Sequence, residues 1–319
     1  MLTLQAAAGN RAVGRLLART PSARDDLADT LRREYSVTAV RSATQSDQEA
    51  DLAATTGATP GSITIPNWQS WDPDPASPIY ADISAAFDEM DRTLGGIPPV
   101  REVRFAAADY QLVNGTLVPT AGTGADYMRG VLTVYRRFES AYWGLPVARS
   151  TAGARYDTGH ELAVGNPGSG APATTSGQSE SRRRIIVHEL SHGVAEQMST
   201  PGANTPAIDP TLWAEFRRAA GWNSAGTAIV ESGNTMDETN WNDPSWAEQP
   251  VSRYSLSNPG EDFAESLMMF IERPAVLRAR SPARYSFFDA HRGLWGNHLL
   301  PRNFGPGDFP LPSRDPQYA

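Results

Sequence analysis

The sequence predicts an α+β fold, with a small sheet before a long central helix and a mainly helical C-terminal half. Three observations carry this. Large apolar residues recur at helical spacing over 78–94, 185–198 and 263–271. Stretches suited to strands, at 100–107, 110–119 and 131–135, precede the second of these helices. Within the middle stretch, Asn114-Gly115 supplies the turn of a hairpin.

The chain has 319 residues, enough for one large domain or two small ones with room for tails. A hydrophobic share of 40% with a mean hydropathy of −0.42 suits a globular domain with polar extensions. The 27 glycines and 25 prolines call for extensive loops. A net charge of −8 argues against a nucleic-acid partner, whose phosphates need a cationic surface. There is no cysteine, which excludes disulfides and cysteine-based zinc fingers. No stretch approaches the ~20 apolar residues of a membrane span. Gln5, Asn10, Arg11 and Arg15 interrupt the N-terminal apolar residues, so no general secretory signal is expected. The chain is expected in the cytoplasm of the cell that makes it.

In order, residues 1–20 form a weak amphipathic segment. Leu4, Val13, Leu16 and Leu17 share one face, and Gly9-Asn10 and Gly14 interrupt it. Residues 21–65 hold few large apolar side chains and read as a flexible linker, with at most transient helix near 25–35. A catalytic domain is expected over 66–300, and its first residues, 66–78 with Trp68 and Trp71, read as irregular chain packed on its surface. In the next helix Ile79, Ile83, Ala86, Phe87, Met90 and Leu94 form the apolar face, and Gly95-Gly96 ends it. Strands are expected at 100–107, 110–113, 116–119, 131–135 and 154–164, making a small antiparallel or mixed sheet. After a Gly/Pro/Ser/Thr-rich loop at 165–177, Ser179 or Ser181 caps the central helix. Arg182, Arg183 and Arg184 read as a solvated charge run, with attraction of an acidic substrate as the alternative. Asp209-Pro210 opens a further helix whose apolar face carries Leu212, Trp213, Phe216 and Ala219. Residues 223–250, polar but for Trp241 and Trp246, form a connection of the kind that lines a binding site. A helix near 281–295 and an extended Pro-rich tail, 301–319, complete the chain.

Residues 185–193 read Ile-Ile-Val-His-Glu-Leu-Ser-His-Gly, an H-E-x-x-H motif on an apolar helix. His188 and His192 are four apart, so they share a helix face and can hold a zinc ion. Glu189 beside them can take a proton from a zinc-bound water. The plain alternative is a helix with two unrelated histidines. A catalytic zinc takes three protein ligands, so a third must be His, Asp or Glu in this cysteine-free chain. The best candidate is Glu261, three residues after Asn258 and Pro259, which cap and open a helix. The same position suits Glu261 as a capping-box residue with no metal at all, and both roles stand open.

H-E-x-x-H, then Tyr254, then Glu261-Asp262-Phe263-Ala264-Glu265, resembles the gluzincins of the anthrax-lethal-factor-like group. The resemblance spans residues 185 to 271 and implies a zincin-like fold with zinc as cofactor. It implies Glu261 as the third ligand and Glu265, one turn on, as its support. Tyr254 becomes the phenol that faces the attacking water or the oxyanion. A protein or peptide substrate is implied, and the hairpin at 110–119 offers an edge strand to pair with it. A metzincin would require glycine at Ala195 and histidine at Met198, which excludes that pattern. His160, His291 and His298 read as structural or solvated.

Leu4-Gln5, Ala8-Gly9-Asn10-Arg11-Ala12-Val13 and Leu16-Leu17 resemble the leader of proteins encoded with extracellular contractile injection systems, phage-tail-like particles that carry protein cargo. The implied partner is such a particle, bound through residues 1–20. The expected function is a zinc endopeptidase delivered as a toxin or effector. The rivals are a non-catalytic zincin-like binding or assembly module of the particle, and a zinc hydrolase of a non-peptide amide bond. Glu189 argues against the first, since a scaffold has no need of a base. Deleting residues 1–20 is expected to abolish co-purification with particles while leaving the melting temperature unchanged. A large fall in melting temperature would place the segment in the core and end the leader reading.

Overall fold

A computed structural model describes residues 22–140, 175–199, 210–292 and 299, apart from 60, 115, 121–123, 238, 242 and 244. The expected leader, the strand at 154–164, the tail, His160 and His298 lie outside the described residues.

The stretch expected as a linker is folded. Ser22 caps α1 (Ala23–Tyr35) through a capping box: its hydroxyl accepts the Asp25 N–H at 3.1 Å, and Asp25 accepts the Ser22 N–H at 3.2 Å. Thr44 and Asp47 do the same for α2 (Gln45–Thr56). Between them runs β1 (Ala39–Ser42). Leu27, Leu31 and Tyr35, spaced by four, are buried in the main core. A few apolar residues at the right period are enough here, although the composition around them is polar. Residues 66–78 are irregular, and Trp71 packs edge-on against Phe105 with ring centroids 6.0 Å apart.

Helix α3 (Ile79–Leu94) buries the six expected apolar positions and ends at Gly95, whose φ of +78° favours glycine. The sheet is mixed. It comprises β1, β2 (Glu102–Ala106), β6 (Val131–Tyr135) and β5 (Ala125–Met128) in the order β1-β2-β6-β5. β1–β2 and β2–β6 are parallel, and β5–β6 is antiparallel. Val103, Phe105, Leu132, Val134 and Ala125 join one core with the helices. Among the described residues, β3 (Tyr110–Val113) and β4 (Thr116–Pro119) pair only with each other. The hairpin is therefore not the edge strand of the main sheet. Among the described residues that place belongs to β5, joined to β6 by Arg129-Gly130, both at positive φ as a tight two-residue hairpin requires.

Helix α4 (Thr175–Ser199) starts before Ser179 and Ser181, so neither caps it, and the Ser179 hydroxyl instead bonds to Asp82. The arginine run is not solvated. Arg182 is 4% exposed and pairs with Asp82 of α3 at 2.6 Å; Arg184 is 5% exposed and lies 3.3 Å from Glu272. Their counter-charges lie far away in the chain, so buried pairing replaces the solvation that a local reading suggests.

Helix α5 (Pro210–Ala219) is followed by a small hairpin, β7 (Ile229–Glu231) and β8 (Asn234–Met236), then by α6 (Pro259–Glu272), α7 (Pro274–Arg280) and α8 (Pro282–Ala290). Helix α4 packs between α3 and α6. Among the described residues, no helix is long and apolar enough to cross a membrane. Replacing Leu31, fully buried in α1, by alanine is expected to cost about 2–5 kcal/mol of stability. Urea unfolding measures this; an unchanged midpoint would return residues 22–57 to the status of a linker.

Candidate metal centre

Helix α4 buries Ile185, Ile186, Leu190 and Val194 and thereby fixes the face that carries His188 and His192. Gly193 lets the helix approach the sheet. A Cβ there would lie 2.6 Å from Tyr127 Cζ and 2.8 Å from Pro98 Cβ, closer than atoms pack. On the other side, Asn258 caps α6: its Oδ1 accepts the N–H groups of Gly260 and Glu261 at 2.8 and 3.0 Å. The Glu261 carboxylate is turned toward the histidines.

Glu261 Oε2 lies 3.2 Å from His188 Nε2 and 3.3 Å from His192 Nε2, and the two Nε2 atoms are 3.1 Å apart. This buried oxygen makes no hydrogen bond of good geometry. A tetrahedral ion with bonds of about 2.0–2.1 Å holds its ligand atoms about 3.3–3.5 Å apart. The triangle His188–His192–Glu261 therefore has about the size and the donor types of three of the four corners of such a shell, and it can hold a metal ion. Behind it, Glu265 is 1% exposed, with Oε1 3.0 Å from His188 Nδ1. A carboxylate on that side of the ring favours the proton at Nδ1, which would leave the Nε2 lone pair facing the centre.

The titration of these groups says the same from the side of the proton. Burial disfavours the charged form of His188, but the Glu261 and Glu265 carboxylates outweigh it and raise the imidazole to about 10. Burial likewise opposes ionisation of Glu261, yet the two imidazoles hold it well below the usual carboxylate range. His192 is lowered, chiefly by burial. The cluster is built to surround positive charge.

Glu189, next to His188, is pushed up to about 8 by burial; His188 and the Tyr127 N–H that it accepts work against the rise, and Asp126 and Glu261 add to it. A cation in the neighbouring triangle favours its ionised form. Tyr254 lies in the short 3₁₀ turn Tyr254–Leu256, with its ring 6.1 Å from that of His188. Although Tyr254 is 41% exposed as a residue, partial burial of its hydroxyl and the carboxylates of Glu261 and Glu189 raise the phenol above its usual value, so it is a hydrogen-bond donor.

The cleft over the centre, about 460 Å³, is also lined by residues that the sequence did not single out as site residues: Asp126 and Tyr127 of β5, Glu196, and Trp213. Four residues of strand give too short an alternation to read, although Arg129-Gly130 marks the turn after it. Trp213 was expected on an apolar helix face, and its ring does stack on Phe216; its remaining face reaches the cleft. His291 is elsewhere, its Nδ1 2.6 Å from the Phe287 carbonyl and its Nε2 3.6 Å from Glu215.

Comparison of the chain with protein families, curated proteins and solved structures finds no match. In a titration with zinc, Glu265→Ala is expected to weaken binding by about 10–100-fold, and Glu261→Ala by more. Chelator competition on the two variants measures this. Equal losses would mean that the ligand has been misassigned, and wild-type affinity in Glu261→Ala would leave that residue only its place at the helix start.

Proposed function

We propose that the chain is a zinc-dependent endopeptidase of the gluzincin type, with a zincin-like catalytic domain. The observation that carries this is the triangle of His188, His192 and Glu261 with Glu189 at its side. Zinc, when bound there, supplies Lewis-acid polarisation and lowers the pKa of its water toward ~7. Glu189 accepts the proton of the attacking water and passes it to the leaving amine. Its burial strengthens it as a base, which suits the first half of that task. Tyr254 donates its phenolic hydrogen to the developing oxyanion. Glu265 holds the His188 ring in the orientation that the metal needs.

An extended peptide is the substrate that the cleft favours. The Tyr135 N–H donates to the Gly124 carbonyl at 2.9 Å, which sets the alternation of the β5–β6 ladder. By that alternation the backbone groups of Ala125 and Tyr127 point away from β6, toward the open edge. Glu189 lies against the Tyr127 N–H, and among the described residues no strand pairs with this edge, which suits a strand laid along the cleft. Delivery by a contractile injection particle, as a toxin or effector, is inferred from the wording of residues 1–20 alone.

Glu189→Gln keeps shape but cannot accept a proton at neutral pH. It is expected to retain zinc and lose about 10²–10⁴-fold in turnover. Tyr254→Phe removes one donor, a loss of roughly 2.7–4 kcal/mol at most. The assay is the appearance of new protein termini in a cell lysate given the purified protein. Wild-type cleavage by a zinc-loaded Glu189→Gln protein would remove hydrolysis as the mechanism and leave a binding module.

A further inference from the structure

Next to Glu261 in α6 stands Asp262, a carboxylate 0% exposed. It accepts four hydrogen bonds. Oδ1 takes Arg284 Nε at 3.0 Å and Ser266 Oγ at 3.2 Å; Oδ2 takes Arg284 Nη2 at 2.7 Å and Trp222 Nε1 at 2.7 Å. Arg284, also 0% exposed, is held in turn by Glu248 Oε1 at 2.8 Å and the Ala220 carbonyl at 3.1 Å. One carboxylate thus ties α6 to α8, to the end of α5 and to the chain before β7.

Burying such a pair is a poor way to gain stability, because an apolar replacement of equal volume is often as stable or more so. What a fork of directed bonds adds is orientation. Glu265 meets His188 itself and Glu272 meets Arg184 only at the far end of α6, while the apolar Phe263, Leu267 and Phe270 set no sharp angle about the helix axis. The metal ligand needs one. A group about 5–6 Å from a helix axis moves by about 1–2 Å for a rotation of about 10–20°, and functional groups tolerate only about 0.5 Å. Glu261 and Glu265 are four apart, so one rotation displaces both.

We propose that Asp262 is a positioning residue for the metal centre: clamped by Arg284 and Trp222, it sets the rotation of α6 and so the places of Glu261 and Glu265 against His188 and His192. This rests on the metal-centre reading above. The buried charge is there for the angle of the helix, and its loss is felt at the metal even in a protein that stays folded.

The test uses the full chain and zinc alone, with chelator competition for affinity, the visible spectrum of the cobalt-loaded protein for coordination geometry, and thermal melting for stability. Asp262→Asn is expected to lose about 10–100-fold in zinc affinity and to change the cobalt spectrum, at a temperature where it is fully folded. Leu31→Ala, in α1, serves as a control that weakens the fold away from the centre; it is expected to keep wild-type affinity and spectrum. Should Asp262→Asn fail to fold, Trp222→Phe decides, since it removes one donor and keeps an aromatic ring; a several-fold loss is expected. Wild-type affinity and spectrum in folded Asp262→Asn, or in Trp222→Phe where that variant must decide, overturn the proposal. So does a loss in Leu31→Ala as large as in Asp262→Asn. If the wild type itself takes up no zinc, the metal-centre reading is what has failed, and the proposal falls with it.

Discussion

Two imidazole nitrogens and a carboxylate oxygen meet where α4 crosses α6, a grouping that calls for positive charge, whether a proton on His188 or a metal ion. His188 Nε2, His192 Nε2 and Glu261 Oε2 stand 3.1–3.3 Å apart. The surrounding structure holds this arrangement in place. Gly193 lets α4 lie against Tyr127 and Pro98, and Asn258 satisfies the start of α6 so that Glu261 is not needed there. Glu265 sets a carboxylate against the Nδ1 side of His188, 3.0 Å away.

The same logic extends along α4. Its N-terminal half is crossed by two charged contacts, Arg182 to Asp82 and Arg184 to Glu272, one toward α3 and one toward the far end of α6. Charges removed from water gain little net energy, but they fix geometry. The helix is anchored by ion pairs near its start, by apolar packing at Ile186, Leu190 and Val194, and by a glycine contact beyond His192. The histidines lie between rigid supports on both sides.

What could be read from the sequence follows the range over which each signal acts. The helices at 79–94 and 259–272 announce themselves by local period and by their glycine, asparagine and proline ends. The spacing of His188 and His192 is local too, and so is the choice of Glu261 within a capped helix. The first helix was legible in principle: Ser22 with Asp25 and Thr44 with Asp47 are two capping boxes, masked by a polar composition. The buried arginines were not legible, because Asp82 and Glu272 stand 100 and 88 residues from their partners. Nor was the sheet order, since β1 finds β2 across an intervening helix pair and the hairpin at 110–119 stays apart from the main sheet. The same holds for β5, whose four residues take their meaning from the strand beside them and the helix behind.

An edge left open for one strand is open to any strand, including the same edge of another molecule. β5 guards itself against that encounter. It is four residues long, one of its outward N–H groups is engaged by Glu189, and Asp126 sits in its middle. Two such edges meeting antiparallel would bring acidic groups face to face with their own images, and like charges opposite one another weaken a strand pair. Among the described residues β5 is the outer strand of the sheet, and its shortness and the acid in its middle both weaken such a pairing.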